Sequence, residues 1–279
     1  MNVQNFSFAS QFPVQVSANL PGGGTMNLDG HAGPIDATDA SLTPLQAQIH
    51  VSQFNVASSG FVDPSSGIEG VADFDGTVNS NGRIAQATGT LKASGVKVVP
   101  GGAPAQRPVQ VKYTVKHNLR DNSGEIAQGE VMMGSATAHL TGGYKIEPET
   151  TTVSLTLNGQ GMPVNDVEAM LPAVGVTLPS GSSLSGGTLS ANLAINGPVD
   201  KLVITGPVKI ENSKLTGFDL GSKLSAISKF SGGGGGGSAD TSIQNLSTDV
   251  RVAPTGIQTE KMNLTVPALG VKIGRETGR

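Results

Sequence analysis

The chain has 279 residues, enough for one large β domain or two small ones. Charged residues make up 14% of it, against a usual ~25%, and the formal net charge is -3, so no basic surface for nucleic acid is expected. The absence of cysteine excludes disulfides, thiolate metal sites and cysteine nucleophiles.

Alternation of apolar and polar residues is the dominant pattern along the chain. It is clearest between residues 109 and 116, where every second residue is apolar and the others are polar or charged. The same pattern recurs in four other runs, at residues 47–51, 136–140, 153–157 and 189–195. A period of two residues predicts β-strands with one apolar face and one polar face, as in antiparallel sheets with one wet side.

Glycine, asparagine and proline punctuate these runs. Asn81-Gly82, between Val78 and Ile84, is the strongest hairpin signal, because both residues accept the positive φ angles that a tight hairpin turn requires. Together with the alternation, these turns predict an all-β fold built from an antiparallel sheet.

A first short helix is predicted near residues 165–172. Asn165 can cap its N-terminus, acidic residues follow in the first turn, and Pro172 is expected to end it.

A second short helix is predicted near residues 219–230. One apolar stripe runs along it, formed by Leu220, Leu224 and Ile227. Six consecutive glycines follow at positions 232–237, and they predict a flexible loop over residues 232–238.

The polar residues give no catalytic or metal-binding pattern. His31, His50, His117 and His139 stand far apart without metal-ligand spacing, and we expect His50 and His117 to lie opposite the apolar residues of their strands. Asp73 and Asp75 share one face of a strand, which is usually a solvated face. We therefore expect no enzymatic activity, no metal site and no cofactor.

The role of the apolar face separates the remaining alternatives. An ordinary closed core, as in a structural or adhesin-like β-sandwich, would cover it with a second sheet. An open face would bind an apolar guest instead. A carbohydrate-binding module is less well supported, because two Tyr and eight Phe provide few aromatic platforms.

A set of glycine-based motifs lies between Met162 and Ile227. In order, the motifs are the short helix, Leu184 with Gly186-Gly187, the strand 188–195, the turn Asn196-Gly197-Pro198, a strand ending at Gly206, and Gly217-Phe218-Asp219-Leu220. This order resembles the C-terminal region of the AsmA family. The preceding strands are similar to those that come before this region in the family, so the resemblance extends over about residues 1–270.

The resemblance implies a periplasmic protein attached to the inner membrane, with a TamB-like architecture similar to that of bridge-like lipid-transfer proteins. Such proteins curl a long antiparallel sheet into an open half-pipe. Phospholipid is the implied partner, a membrane anchor outside this chain is expected, and envelope proteins are further candidate partners. The implied role is in outer-membrane biogenesis and assembly.

The resemblance also implies a division of the chain and a set of groove-lining residues. We expect a repetitive sheet region over 1–160, the AsmA-like region over 161–231, the glycine loop, and terminal strands over 239–279 that are cut short. The stripe of the second helix is expected to flank the groove. The expected lining residues are Val109, Val111, Tyr113, Val115, Val153, Leu155, Leu157, Leu189, Leu193 and Ile195.

Overall fold

One antiparallel sheet of sixteen strands forms the described part of the protein. The computed structural model describes residues 2–3, 7–60, 62–219, 240–266 and 271–275. The strands are β1 (Asn2–Val3), β2 (Phe12–Asn19), β3 (Thr25–Ala32), β4 (Leu45–Asn55), β5 (Glu69–Ser80), β6 (Ile84–Lys97), β7 (Val109–Asn118), β8 (Ser123–Met133), β9 (Ala136–Ile146), β10 (Thr151–Pro163), β11 (Ser183–Ser185), β12 (Thr188–Pro198), β13 (Val203–Thr216), β14 (Thr241–Ala253), β15 (Gly256–Val266) and β16 (Val271–Arg275).

The strands pair in the order in which they occur along the chain. Strands β1 to β10 lie side by side in consecutive order. β12 follows β10 in the sheet, and the order continues to β16, while the short β11 pairs with β13. The sheet is therefore open, with β1 at one edge and β16 at the other. The predicted all-β, antiparallel, unclosed fold is confirmed.

Twist brings opposite strand ends together within this sheet. Adjacent strands rotate by about 20 to 25°, so the six steps from β6 to β13 accumulate about 120 to 150°. As a result, loops from the start of β5 and the end of β6 meet the β12–β13 and β14–β15 turns. They line one small cavity, with Ser66, Ile68, Val98, Val99 and Pro100 on one side and Val199, Asp200, Leu202 and Pro254 on the other.

The hairpin predicted at Asn81-Gly82 is confirmed. It joins β5 to β6, and Gly82 has a φ of 83°. The Asn81 side-chain oxygen accepts hydrogen bonds from the backbone N–H groups of Arg83 and Ile84, both at 2.9 Å. This side-chain bonding stabilises the turn locally, which explains why the sequence signal is reliable.

The first predicted helix differs from the structure in its bounds and its cap. The α-helix α1 runs Val164–Glu168, and a separate 3₁₀ turn follows at Leu171–Val174. Pro163 occupies the N-cap position without a side-chain bond, so the predicted Asn165 cap is wrong. Pro172 does not end a helix but lies in the first turn of the 3₁₀ segment, where its missing N–H has no intrahelical partner to lose.

The second predicted helix, apart from Asp219, and the glycine loop lie outside the described residues, and so does the stripe of Leu220, Leu224 and Ile227. The boundary expected at residues 160 and 161 falls within β10, and the sheet continues through it. In the described ranges, no helix has the length and apolar character needed to cross a membrane.

The closed-core sandwich requires two sheets that face each other. The described strands belong to a single sheet, and no second sheet within them covers its apolar face. The structure therefore favours an open face over the sandwich alternative.

Gly89 lies in close contact with the neighbouring strands β5 and β7, and a substitution there tests how tightly the strands pack. A Cβ atom at Gly89 would overlap the carbonyl oxygen of Asp75 and come within 2.6 Å of the Tyr113 hydroxyl. Because backbone cannot move aside cheaply, Gly89→Ala should lower the free energy of unfolding by about 1 to 3 kcal/mol in urea titrations.

Gly143→Ala is the matched control, since its Cβ would approach only the Gly124 carbonyl oxygen, at 3.3 Å. Equal losses for the two variants would contradict the packing described at Gly89.

Candidate functional site

All ten residues predicted to line a groove lie on one face of the sheet. Residues directly opposite in an antiparallel pair share a face, and Val111 is opposite Val131 while Leu155 is opposite Ile195. Leu157 is opposite both Leu140 and Leu193, which extends the same face across three strands. Val109 is buried, and the other nine are partly exposed. The register therefore brings them together on a common apolar surface.

The same face continues onto the N-terminal strands, which the predicted lining omitted. The register connects it to β2–β5 through partly exposed apolar side chains, namely Val16, Leu28, Ile49, Val51 and Phe74. Alternation in these strands is visible in the sequence. What the sequence lacks is the register that aligns them with the later strands.

Tyr113 lies flat on this face, over glycines of the neighbouring strands. It is opposite Gly89 and Gly129, and its ring stacks on Phe74 with 5.5 Å between centroids. Its hydroxyl is buried and has no hydrogen-bond partner among the described residues. Burial, with a smaller contribution from Asp75, raises the Tyr113 pKa to about 12. The phenol is therefore neutral at physiological pH and adds no charge to the face.

His117 lies on the apolar face, so its expected position on the polar face is wrong. It is two residues beyond Val115 and keeps the same phase, opposite Ala85 and Gly124. Tyr144 is also opposite Gly124, and the two rings stack with 5.7 Å between centroids. The Tyr144 hydroxyl lies 3.2 Å from His117 Nδ1, so polar atoms of the two side chains satisfy each other.

A segment after β10 covers part of the apolar face; we name residues 164–178 the plug segment. Three buried clusters surround it. Ala169 of the segment clusters with Val109 and Met133, and Met170 packs against them together with Val96, Val111 and Val131. Val167 packs with Leu157 and Leu189 against the buried residues Ala136, Ala138 and Met162.

The third cluster lies on the other side of the plug segment. Val164, the most buried large side chain at 1% exposure, clusters with Leu184, Ile210 and Ile243. Leu171 and Leu178 of the plug segment pack against this cluster, as do side chains of the later strands, namely Leu215, Leu246 and Leu264. The plug segment thus fills the space between β6–β10 on one side and β12–β15 on the other.

Asp166 fixes the plug segment to the sheet. Its carboxylate accepts hydrogen bonds from the backbone N–H of Ser135 at 2.8 Å and from the Ser135 hydroxyl at 2.6 Å, and it pairs with Arg107. A Cβ at Gly134 would collide with this carboxylate, so glycine leaves the room it needs. The Ser135 donors, and then Arg107, hold the Asp166 pKa below its ordinary value.

Backbone hydrogen bonds extend this attachment to the loop between β6 and β7. The N–H groups of Val98, Ala103 and Gln106 donate to carbonyl oxygens of the plug segment at 3.1, 2.9 and 2.9 Å. On the other side, Asn165 accepts a hydrogen bond from the Gly186 N–H at 2.9 Å, and Glu168 accepts one from the Leu184 N–H at 3.0 Å. The short polar residues of α1 therefore act as tethers, whereas the local sequence pattern predicts helix capping.

The opposite face carries a polar network around His50. His50 Nδ1 contacts Asp75, and His50 Nε2 lies 2.9 Å from the Ser52 hydroxyl, in the connectivity of a serine-hydrolase triad. His50 and Asp75 side chains are 52% and 70% exposed, and the N–H of Gln53, next to Ser52, already donates to Asp73 at 2.8 Å. A hydrolase would need a free backbone N–H near Ser52 to stabilise an oxyanion, but the Gln53 N–H is engaged and the site is open to water. We therefore interpret the network as surface cross-strand pairing.

The described residues also offer no metal centre, since no three His, Asp or Glu side chains within these ranges come together as ligands. The acidic residues Asp73 and Asp75, which share one face of β5, have separate partners. Asp73 bonds the bulge at Gln53, and Asp75 pairs with His50.

The attachment through Asp166 predicts a measurable loosening when its charge is removed. Asp166→Asn should reduce hydrogen-exchange protection of the Val98, Ala103 and Gln106 N–H groups, which donate to the plug segment. Since the folded-state pKa is lowered, the contribution is complete above the ordinary value of about 4 and is lost as pH falls through the folded-state value. The difference from wild type should therefore shrink on acidification below about pH 4.

Asp121→Asn is the control, because Asp121 bonds Ser123 in the β7–β8 turn, away from the plug segment. Unchanged protection in Asp166→Asn at neutral pH would refute the attachment.

Comparison with known proteins gives a family match in the second half of the chain. The family model described as the TamB C-terminal domain matches residues 129–266, a range that begins in β8, includes the plug segment and ends with β15. Searches of curated proteins and of solved structures found no match. Residues 129–266 are therefore similar to the TamB C-terminal domain, which supports the TamB- and AsmA-like relationship at a coarse level and does not single out AsmA itself.

Proposed function

We propose that this protein is a non-enzymatic cell-envelope protein that shields phospholipid acyl chains on its apolar face during outer-membrane biogenesis and assembly. The observation that carries the proposal is a single open sheet whose apolar face no second sheet covers within the described residues. The similarity of residues 129–266 to the TamB C-terminal domain supports a role in envelope transport in general. Phospholipid as the cargo is our own step beyond that similarity.

Apolar transfer energetics explain why such a face is useful. Exposing an acyl chain to water costs about 0.8 kcal/mol per methylene, so a chain of about sixteen carbons faces a barrier on the order of 12 kcal/mol. A continuous apolar surface removes much of that cost while the headgroup stays in water. Lateral hydrogen bonds between strands satisfy the backbone, so the face presents side chains without unpaired backbone groups.

Spread-out contact suits movement better than a tight site. The partly exposed residues Val16, Leu28 and Ile49 are of similar size and chemistry, so each offers a guest a weak and nearly equivalent contact. A guest that meets equivalent contacts has no deep energy minimum in which to stop. The absence of a charged side chain at these positions is therefore part of the proposed mechanism.

The proposed location is the periplasm, with attachment to the inner membrane, as the family resemblance implies. Envelope proteins at either membrane are the proposed partners. Nucleic acid is not, because the chain has a net charge of -3 and lacks a basic surface pattern.

Adjacent residues on opposite faces of β4 give a sharp test. Ile49 lies on the apolar face and Gln48 on the polar face. Ile49→Asp should greatly reduce the phospholipid that co-purifies with the protein, because a guest would have to desolvate the carboxylate. Gln48→Asp should leave it unchanged, and both amounts are measured by lipid extraction and mass spectrometry.

Circular dichroism of both variants establishes that the sheet is retained. Finding no phospholipid in folded wild-type protein, or equal amounts in both folded variants, would overturn the proposal.

A further inference from the structure

We propose that acyl chains occupy the apolar face of β2–β6, here named the open sector, and that the plug segment ends the binding site. This inference rests on the proposed function and adds where the guest lies. It divides the apolar face into a part that the protein's own chain fills and a part left for a guest.

The filled part is defined by the three buried clusters around the plug segment. Their members from the sheet come from β6 to β15, with Val96 the one member from β6. None of the described residues of β1–β5 belongs to any of them. Four of the predicted lining residues belong to the filled part: Val109, Val111, Leu157 and Leu189. These four side chains already pack against other side chains of the protein.

Composition of the open sector fits a hydrocarbon guest. The register assigns its face to apolar residues and glycines from Phe12 in β2 to Leu91 in β6, and Ser80 is the one hydroxyl-bearing residue among these positions. No charged side chain of these described strands shares the face. A polar ligand would find almost no hydrogen-bond partner there, whereas an acyl chain needs none.

Dimensions of the open sector also suit this occupant. A row of directly opposite residues crosses the five strands, formed by Val16, Leu28, Ile49, Gly76 and Gly89. Four strand spacings of 4.7 to 4.9 Å make this row about 19 Å long. That length is comparable with one extended acyl chain of a common phospholipid. Gly76 and Gly89 leave low points in the row, which Tyr113 overlays from β7.

The plug segment has an advantage over any guest for the remaining apolar face. It is covalently continuous with β10, so its effective local concentration is high. The Asp166 contacts and the backbone bonds to the β6–β7 loop add polar attachments that a hydrocarbon cannot make. Guests should therefore stop where the plug segment begins.

Site-specific fluorescence quenching tests this division, since the chain has no tryptophan of its own. Single variants Ile49→Trp in the open sector, Leu246→Trp in the filled part and Gln48→Trp on the polar face are mixed with phosphatidylcholine carrying brominated acyl chains. Parallel samples receive the same lipid without bromine. We expect bromine to cause a strong loss of fluorescence in Ile49→Trp. In the other two variants, the brominated and unbrominated lipids should give equal fluorescence.

Removing the attachment provides the second arm. In Leu246→Trp combined with Asp166→Ala, quenching should appear, because the loosened plug segment admits lipid to the filled part. If Leu246→Trp fails to give a folded protein, Leu264→Trp reports on the same cluster.

The outcomes separate this inference from the proposed function. Equal quenching of Ile49→Trp and Leu246→Trp would overturn the division while lipid binding stands. Quenching of neither would overturn the proposed function itself. Quenching of Gln48→Trp as strong as that of Ile49→Trp would overturn both, because the lipid would then bind without regard to face.

Discussion

Segregation of apolar and polar side chains between the two faces of one unclosed sheet is the constraint on which the structure depends. Because successive residues of a strand point to opposite faces, a register error of one residue would put every apolar side chain into water. The observed register keeps one apolar face continuous from β2 to β15. Aromatic side chains follow the same rule, since Tyr113 and Tyr144 both lie flat over glycines of neighbouring strands on this face. An open sheet needs something to cover such a face, and the part of the chain that the structure describes provides only some of that cover.

The sequence is informative wherever local chemistry decides the structure. Alternation identifies the strands, and the self-bonding of Asn81 with Gly82 identifies a hairpin, because both signals act between residues close in the chain. The ten predicted lining residues share a face for the same reason. The alternation also indicates the correct face for His117, because it is two residues after Val115, although the prediction placed it on the polar face.

Long-range contacts cannot be predicted from the local sequence pattern. Asp166 bonds Ser135, which is 31 residues away, and nothing in the local pattern distinguishes this carboxylate from one that favours a helix N-terminus. The same holds for Asn165, whose side chain bonds Gly186 instead of capping α1. The local pattern of the plug segment therefore predicts no more than an isolated helix. In the structure it covers the part of the apolar face around Val109, Val111, Leu157 and Leu189, so these four predicted lining residues contact the protein's own chain.

The region similar to the TamB C-terminal domain and the open sector lie in different parts of the chain. Residues 129–266 match the TamB C-terminal domain and contain the plug segment, whereas the open sector over β2–β6 precedes the matched range. The filled part has a packed core that Asp166 and backbone hydrogen bonds tether to the sheet. The preceding strands extend its apolar face, and within the described residues the plug segment does not cover that extension.

Native mass spectrometry of the protein, purified from cells without detergent, tests the central claim most directly. If the apolar face is completed by hydrocarbon guests, the spectrum should contain the chain with one or more added phospholipid masses that leave at raised collision energy. A spectrum that contains the bare chain alone, from a protein that is folded and monodisperse, would contradict it.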